Sequence, residues 1–248
     1  MSKILLEAPV YTLEAALLAT AYGVDRLELC SDFGEGGVTP SPGMLSYLKS
    51  KIDLPIFVMV RPRGGDFFYS AEELKVMEKE IEILKSLGAD GFVFGVLNAD
   101  GSVNVDACSV LVRAAGGSPC TFHRAFDASS DLDKALEAVI GCRFDRILTS
   151  GGRNTVTDGL DIIKKLMLAA GNRIIIMPGG GTVPSHLREL HATGYLKEVH
   201  SSCKSYRNSE STYINPNLHE GVGNANRVLT VDKRLVEEFQ RQIKALER

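Results

Sequence analysis

Thr121-Phe122-His123-Arg124-Ala125-Phe126-Asp127 is the stretch on which the fold turns. Phe122 is apolar, Thr121 and His123 share the opposite parity, and Arg124 and Asp127 fall where a strand would run out. A core strand of a parallel sheet carries apolar residues on both faces. A histidine on one face therefore marks a polar cavity or a buried ring with partners. The surrounding sequence decides between them.

Working outward, short apolar segments recur at 4–8, 26–30, 56–61, 91–96, 120–124, 146–150, 173–177 and 198–201. Segments with 3.6-residue periodicity lie between them. The segment 12–22 opens with Thr12 as a cap, and 70–87 opens Ser70-Ala71-Glu72-Glu73, a capping-box pattern, and ends at Gly88. Helical segments follow at 131–140, 157–170 and 184–191, the last with Pro184 where a missing N–H is tolerated. Strict alternation argues for parallel strands joined by right-handed crossovers. Eight units argue for closure. The predicted fold is an α/β chain forming a single (β/α)8 TIM barrel over residues 1–248. The eighth unit is irregular: 202–230 is polar and rich in Asn and Gly before a last helix over 231–246. A loop that long predicts a lid, a subunit-contact arm or disorder.

The bulk properties fit. A barrel routinely fills 248 residues as one domain, and 44% hydrophobic with 24% charged residues is ordinary soluble composition. A net charge of −3 gives no electrostatic reason to expect nucleic acid or an anionic membrane as a partner. The N-terminal apolar run is too short for a signal peptide, and nothing approaches the roughly 20 residues of a membrane span. Five cysteines without paired spacing read as reduced thiols in the cytosol, so a cytoplasmic location is expected.

Taking the apolar parity of each strand as outward, toward the helices, fixes what points in. Leu6, Leu27, Leu29, Val58, Val60, Phe122 and Val199 face out, leaving Glu7, Glu28, Cys30, Arg61, His123, Glu198 and His200 facing in. The opposite parity would bury unpaired charges beneath helices at several kcal/mol each. The inward set lies toward the strand C-termini, where barrels of this kind place their sites. An internal ion network is the plainer alternative. Clustered acids and bases in one cavity favour a ligand site.

Three loops at that face are candidates for anion binding. Arg61-Pro62-Arg63-Gly64-Gly65-Asp66 offers arginine forks suited to carboxylate or phosphate, against the alternative that Asp66 simply pairs with Arg63. Thr149-Ser150-Gly151 could form a concave array of N–H groups. Gly179-Gly180-Gly181 runs toward a helix starting near Pro184, a usable anion site. Thr39 and Ser41 are candidate caps for the helix beyond the second-strand loop. His186, His191 and His219 are expected at the surface, Cys108 and Cys142 as apolar filling, and Cys120 facing outward with Phe122. No closed Cys/His spacing suggests structural zinc, and no organic cofactor is indicated.

Glu28-Leu29-Cys30, Glu35-Gly36-Gly37-Val38-Thr39-Pro40-Ser41, Arg61-Pro62-Arg63-Gly64-Gly65-Asp66-Phe67, the 121–127 stretch, Ile147-Leu148-Thr149-Ser150-Gly151 and Glu198-Val199-His200-Ser201-Ser202 together resemble the CutC copper-homeostasis family. The match runs in order along nearly the whole chain. The resemblance implies a (β/α)8 barrel, a cytoplasmic location, assembly into dimers or tetramers, and copper handling with Cu(I) as the ion. Family members proposed to bind Cu(I) have a cysteine late in the first strand besides the one in Glu-Leu-Cys. Here Cys30 is kept as the metal candidate, while Pro9 stands where the other would be.

Two functions follow. One is copper binding at Cys30, with help from His200, Cys203 or a neighbouring subunit, since Cu(I) prefers soft ligands. The other is an enzyme acting on a small anionic or phosphorylated metabolite. There the Gly179–Gly181 turn with Arg61 or Arg63 holds the anion. His123, Glu7, Glu28, Glu198 or His200 supplies acid–base chemistry, and Arg124 and Asp127 orient the site.

Overall fold

The computed structural model describes residues 3–213, 215, 217 and 226–247. Eight units follow one another: β1 (Leu5–Val10), α1 (Leu13–Tyr22), β2 (Arg26–Leu29), α2 (Pro42–Lys49), β3 (Ile56–Met59), α3 (Ala71–Ser86), β4 (Gly91–Phe94), α4 (Val105–Ala115), β5 (Cys120–Phe122), α5 (Leu132–Gly141), β6 (Arg146–Thr149), α6 (Val156–Ala170), β7 (Ile175–Pro178), α7 (Leu187–His191) and β8 (Glu198–His200). A ribbon of β9 (Lys204–Asn208) and β10 (Arg227–Val231) leads into α8 (Lys233–Leu246). The eight barrel strands are ordered β7-β6-β5-β4-β3-β2-β1-β8, and β1 pairs in parallel with both β2 and β8. With β7 packed beside β8, the sheet is a nearly closed (β/α)8 TIM barrel. No described helix is long and apolar enough to cross a membrane.

Local signals set the helix starts. Thr12 accepts from Ala15 N, and Ser70 and Glu73 form the full reciprocal capping box. Ser41 caps α2, but Thr39 does not: its hydroxyl lies between the Arg61 carbonyl and Glu80, tying the β2–α2 loop to β3 and α3. The last helix begins at Lys233, capped by Asp232, because Val231 belongs to β10.

Outward strand residues such as Leu6, Leu27, Val58, Phe122 and Val199 join one apolar cluster with the helices. Burial of a side chain like Phe122 contributes about 1.5–3 kcal/mol. A separate small cluster of Cys30, Phe57, Met59 and Val93 fills the barrel interior. Phe57 reaches so far across that a Cβ on Gly91 of β4 would lie 2.6 Å from its ring. That crowding explains the glycine.

The 202–230 stretch is not one long loop. Tyr206 pairs with Leu229 and Lys204 with Val231 in an antiparallel ribbon. Exposed and half-buried residues alternate along β9, so it buries too little for a hydrophobic pattern to announce a strand. Arg207 pairs with Glu14, and Thr12 donates to the Leu229 carbonyl, which fixes the ribbon to α1. His186 is also not at the surface. It is buried, accepts from Val183 N at its Nδ1 and meets the Thr157 hydroxyl at its Nε2, closing the 3-10 turn that starts at Pro184. His219 lies outside the described residues.

Candidate functional site

Strand alternation assembles the interior in tiers. Glu7, Glu28, Arg61, His123, Glu198 and His200 are all buried. Arg26, at the first position of β2, is the hub of the lower tier. Its Nε bonds Glu7 at 2.5 Å and its Nη2 bonds Glu198. Arg146 of β6 lies with its Nε 3.0 Å from the same Glu198 carboxylate, off line for a hydrogen bond, and donates to Thr121. Both guanidinium groups sit over the Phe57 ring, at 4.4 and 4.9 Å. Neither arginine was singled out above. Arg26 shares the parity of Glu28 and Cys30, so extending the alternation one step back would have found it.

Above this tier, Glu7 bonds His200 Nδ1 at 2.8 Å, and His200 Nε2 lies 3.9 Å from Glu28 Oε2. Burial would raise the Glu7 pKa, but Arg26 and His200 hold it at about 2. An ionised Glu7 accepts the Nδ1 proton, which turns Nε2 toward Glu28. Glu28 is the opposite case. Burial, reinforced by the Glu7 charge and opposed by His200, pushes it up to about 7. Its Oε2 takes the Cys30 thiol at 3.6 Å, while its Oε1 is buried with no hydrogen-bond partner among the described residues. His200 is itself raised: burial disfavours its charge, but Glu28 and Glu7 outweigh that. Glu28 and His200 lie 3.9 Å apart, and the charge of each thus favours the charged form of the other.

His123 follows β5 and faces the same space. Its Nδ1 accepts from Ala125 N at 3.2 Å, its ring packs on Phe67 at 4.8 Å, and its Nε2 is buried with no hydrogen-bond partner among the described residues. Burial first, and the Arg61 charge second, lower its pKa to about 3, so the ring is neutral. Arg61 donates to the carbonyls of Glu35, Gly37 and Gly65, binding the β2–α2 and β3–α3 loops together over Phe67. Its fork is committed to the fold.

The loops sort differently from one another. Arg63 bonds Glu73 at 2.6 Å and lies 3.1 Å from Asp66, so the pairing alternative describes this turn; neither residue lines the central cavity. The N–H array after β6 is filled from within. Asp127 accepts from the backbone N–H groups of Ser150 and Gly152, from the hydroxyls of Thr149 and Ser150, and from Arg124 Nε. Gly151 N donates to the Thr149 hydroxyl. Thr149, Ser150 and Gly151 are therefore an internal nest for a carboxylate of the chain itself. Asp127→Ala should lower stability by about 3 kcal/mol, because it leaves two backbone N–H groups, two hydroxyls and Arg124 without their acceptor. Urea denaturation checks this; a loss under about 1 kcal/mol would contradict it.

The loop after β7 is open. Gly179 N is used by the Thr149 carbonyl, and a Cβ there would strike Leu148 at 2.2 Å. Gly180 and Gly181 adopt positive φ of 94° and 81° and line the cavity, and among the described residues the N–H groups of Gly180, Gly181 and Thr182 make no hydrogen bond. The Arg124 guanidinium borders Gly180, with Cζ 3.0 Å from where a Cβ would be. Lys204, from β9, reaches the same mouth with its Nζ 4.8 Å over the Phe33 ring. Glu28, His123, His200 and this open loop thus share one cavity of about 590 Å³, walled by Tyr11, Met59 and Phe67. That volume suits a small metabolite.

The CutC family profile matches residues 4–205, a span that takes in β1 through β8 and every residue of this cavity except Leu235. The chain belongs to the CutC family. The human copper homeostasis protein cutC homolog is 42% identical over 218 residues, covering 88% of this chain and 80% of that protein. A CutC family protein of Xylella fastidiosa is 39% identical over 215 residues, covering 87% and 80%. The crystal structure of the CutC protein of Streptococcus agalactiae superposes with a TM-score of 0.74 at 33% identity, covering 80% of this chain and 98% of that one.

The donors do not fit the Cu(I) that the family name brings to mind. Burial and the neighbouring Glu28 carboxylate push the Cys30 thiol well above its ordinary range, so it is protonated, and Cys30 does not line the cavity. Burial pushes Cys203 up to about 11. Among the described residues, the donor atoms that converge are those of Glu7, Glu28 and His200, all within 4.8 Å of one another. Carboxylates and imidazole are not the soft set that Cu(I) selects, and Arg26 already occupies Glu7.

Proposed function

We propose that this CutC chain serves copper homeostasis, the role in the name of its human relative, through acid–base chemistry on a small anionic ligand at the barrel mouth. One observation carries the reading: Glu28, whose buried Oε1 has no hydrogen-bond partner among the described residues, lines a cavity of about 590 Å³ with His200 at its side. Desolvation tunes Glu28 close to working pH, the condition a general base needs. Glu7 orients His200, which exchanges the proton with Glu28. The ligand's anionic end sits against the open N–H groups of Gly180, Gly181 and Thr182, with Arg124 and Lys204 supplying charge. The family resemblance adds a cytoplasmic dimer or tetramer to the proposal.

Inorganic phosphate tests the anion end. Saturable thermal stabilisation is expected in the wild type and should weaken in Lys204→Glu. No stabilisation would remove the anionic ligand from the account. An anaerobic Cu(I) titration tests the metal side, with weak binding expected in both the wild type and Cys30→Ala. Tight one-per-subunit binding lost in Cys30→Ala would instead make the protein a thiolate copper site.

A further inference from the structure

We propose that the ligand is a carbonyl compound with an anionic end, and that the site enolises it. His123 Nε2–H holds the carbonyl oxygen while Glu28 removes a proton from the adjacent carbon. The proposal rests on the acid–base reading of the same pocket and names its substrate class.

The tautomer of His123 follows from its contacts. Nδ1 accepts the Ala125 N–H, so the ring proton is on Nε2, which can only donate. The ring cannot swing away. Phe67 packs on one side, and the backbone just after β4 comes so close that a Cβ on Gly95 would fall 2.8 Å from Nδ1. A fixed, buried donor that finds no acceptor among the described residues is destabilising until something accepts from it. The His123 ring lines the cavity, so a ligand seated against it would supply the acceptor.

A neutral donor in a dry site suits an oxygen that gains charge during reaction more than one charged from the start. Arg61, close enough to help keep the ring neutral, adds positive potential for the developing oxyanion. Glu28 lines the same cavity, and its Oε1 has no hydrogen-bond partner among the described residues. The step balances without a co-reactant. The C–H bond breaks and its proton passes to the Glu28 carboxylate. Its electron pair forms the C=C bond, and the carbonyl π pair moves to oxygen, giving an enolate hydrogen-bonded to Nε2–H. Return of the proton to the same carbon exchanges or inverts it. Where the deprotonated carbon bears a hydroxyl, return of the proton to the former carbonyl carbon, with the hydroxyl proton passing to the enolate oxygen, isomerises the carbonyl. Nothing is oxidised or reduced overall.

Calorimetry with two probes tests this. Inorganic phosphate reads the anion end alone, and phosphoglycolohydroxamate adds a planar group that copies an enediolate. The hydroxamate should bind the wild type at least about tenfold tighter than phosphate. His123→Asn keeps an acceptor at the Nδ1 position but has no donor at Nε2. It should lose that advantage with its phosphate affinity unchanged, which also shows that it is folded. His123→Gln, with a donor at the Nε2 position, should restore part of it. A hydroxamate that binds no tighter than phosphate, or equally to wild type and His123→Asn, overturns the enolisation proposal alone. Absence of phosphate binding to the wild type overturns the underlying anionic-ligand reading and the proposal with it.

Discussion

Glu28→Gln is expected to stop proton transfer and to stabilise the protein above neutral pH. The folded-state pKa of Glu28 is about 7 against an ordinary 4.5. As pH rises through that window the unfolded chain loses this proton first, so the folded state binds more protons and its stability falls. Above the window the penalty is constant. Glutamine cannot ionise and escapes it, a gain of about 1–3 kcal/mol at pH 8 after allowing for His200, which favours the charged form. Any solvent exchange at a ligand carbon should meanwhile fall by about 10²–10⁴. Urea midpoints across pH 4–9 check the first part: the wild-type curve should fall away from the variant's between the two pKa values. Parallel curves would contradict it. Opposite effects on stability and activity are what a strained functional carboxyl produces.

Arg26→Leu should be the most destabilising single change in the barrel interior. It leaves Glu7 and Glu198 buried without their shared cation, at a cost of about 3–5 kcal/mol. The effect reaches the site. Glu7 has a folded pKa of about 2, so the stability it contributes is present above its ordinary value and lost as pH falls toward 2. Without Arg26 that acid resistance should disappear, and His200 loses the ionised partner that sets its tautomer. Denaturation of Arg26→Leu, Glu7→Gln and the double variant would show coupling of at least about 1 kcal/mol. Additive losses would mean that the pair is incidental.

What could be read from the chain alone depended on how local the cause was. The capping box at Ser70 and Glu73 is a local pattern, and it is formed as expected. The alternation of Leu27 and Leu29 with Glu28 reports a two-sided environment, and it led to the inward tier. Arg26 escaped because a charged residue opening a strand looks like its solvated end; only closure of the barrel buries it. The glycines after β6 and β7 look alike in sequence. One loop is filled by Asp127, a residue 22 positions before Thr149, and the other is open. That difference exists only in three dimensions. Arg61 and Arg63 likewise read as anion forks, whereas the fold spends them on main-chain carbonyls and on Glu73. The β9–β10 ribbon is polar on its exposed face and was invisible to a hydrophobic pattern.

Difference infrared spectroscopy across pH 5–9 tests the central claim most directly. A buried protonated carboxyl should give a C=O band that disappears with a midpoint near the Glu28 value of about 7 and is absent from Glu28→Gln. No such band in the wild type, or a band that the substitution leaves in place, would mean that Glu28 is not the proton-carrying group of this pocket.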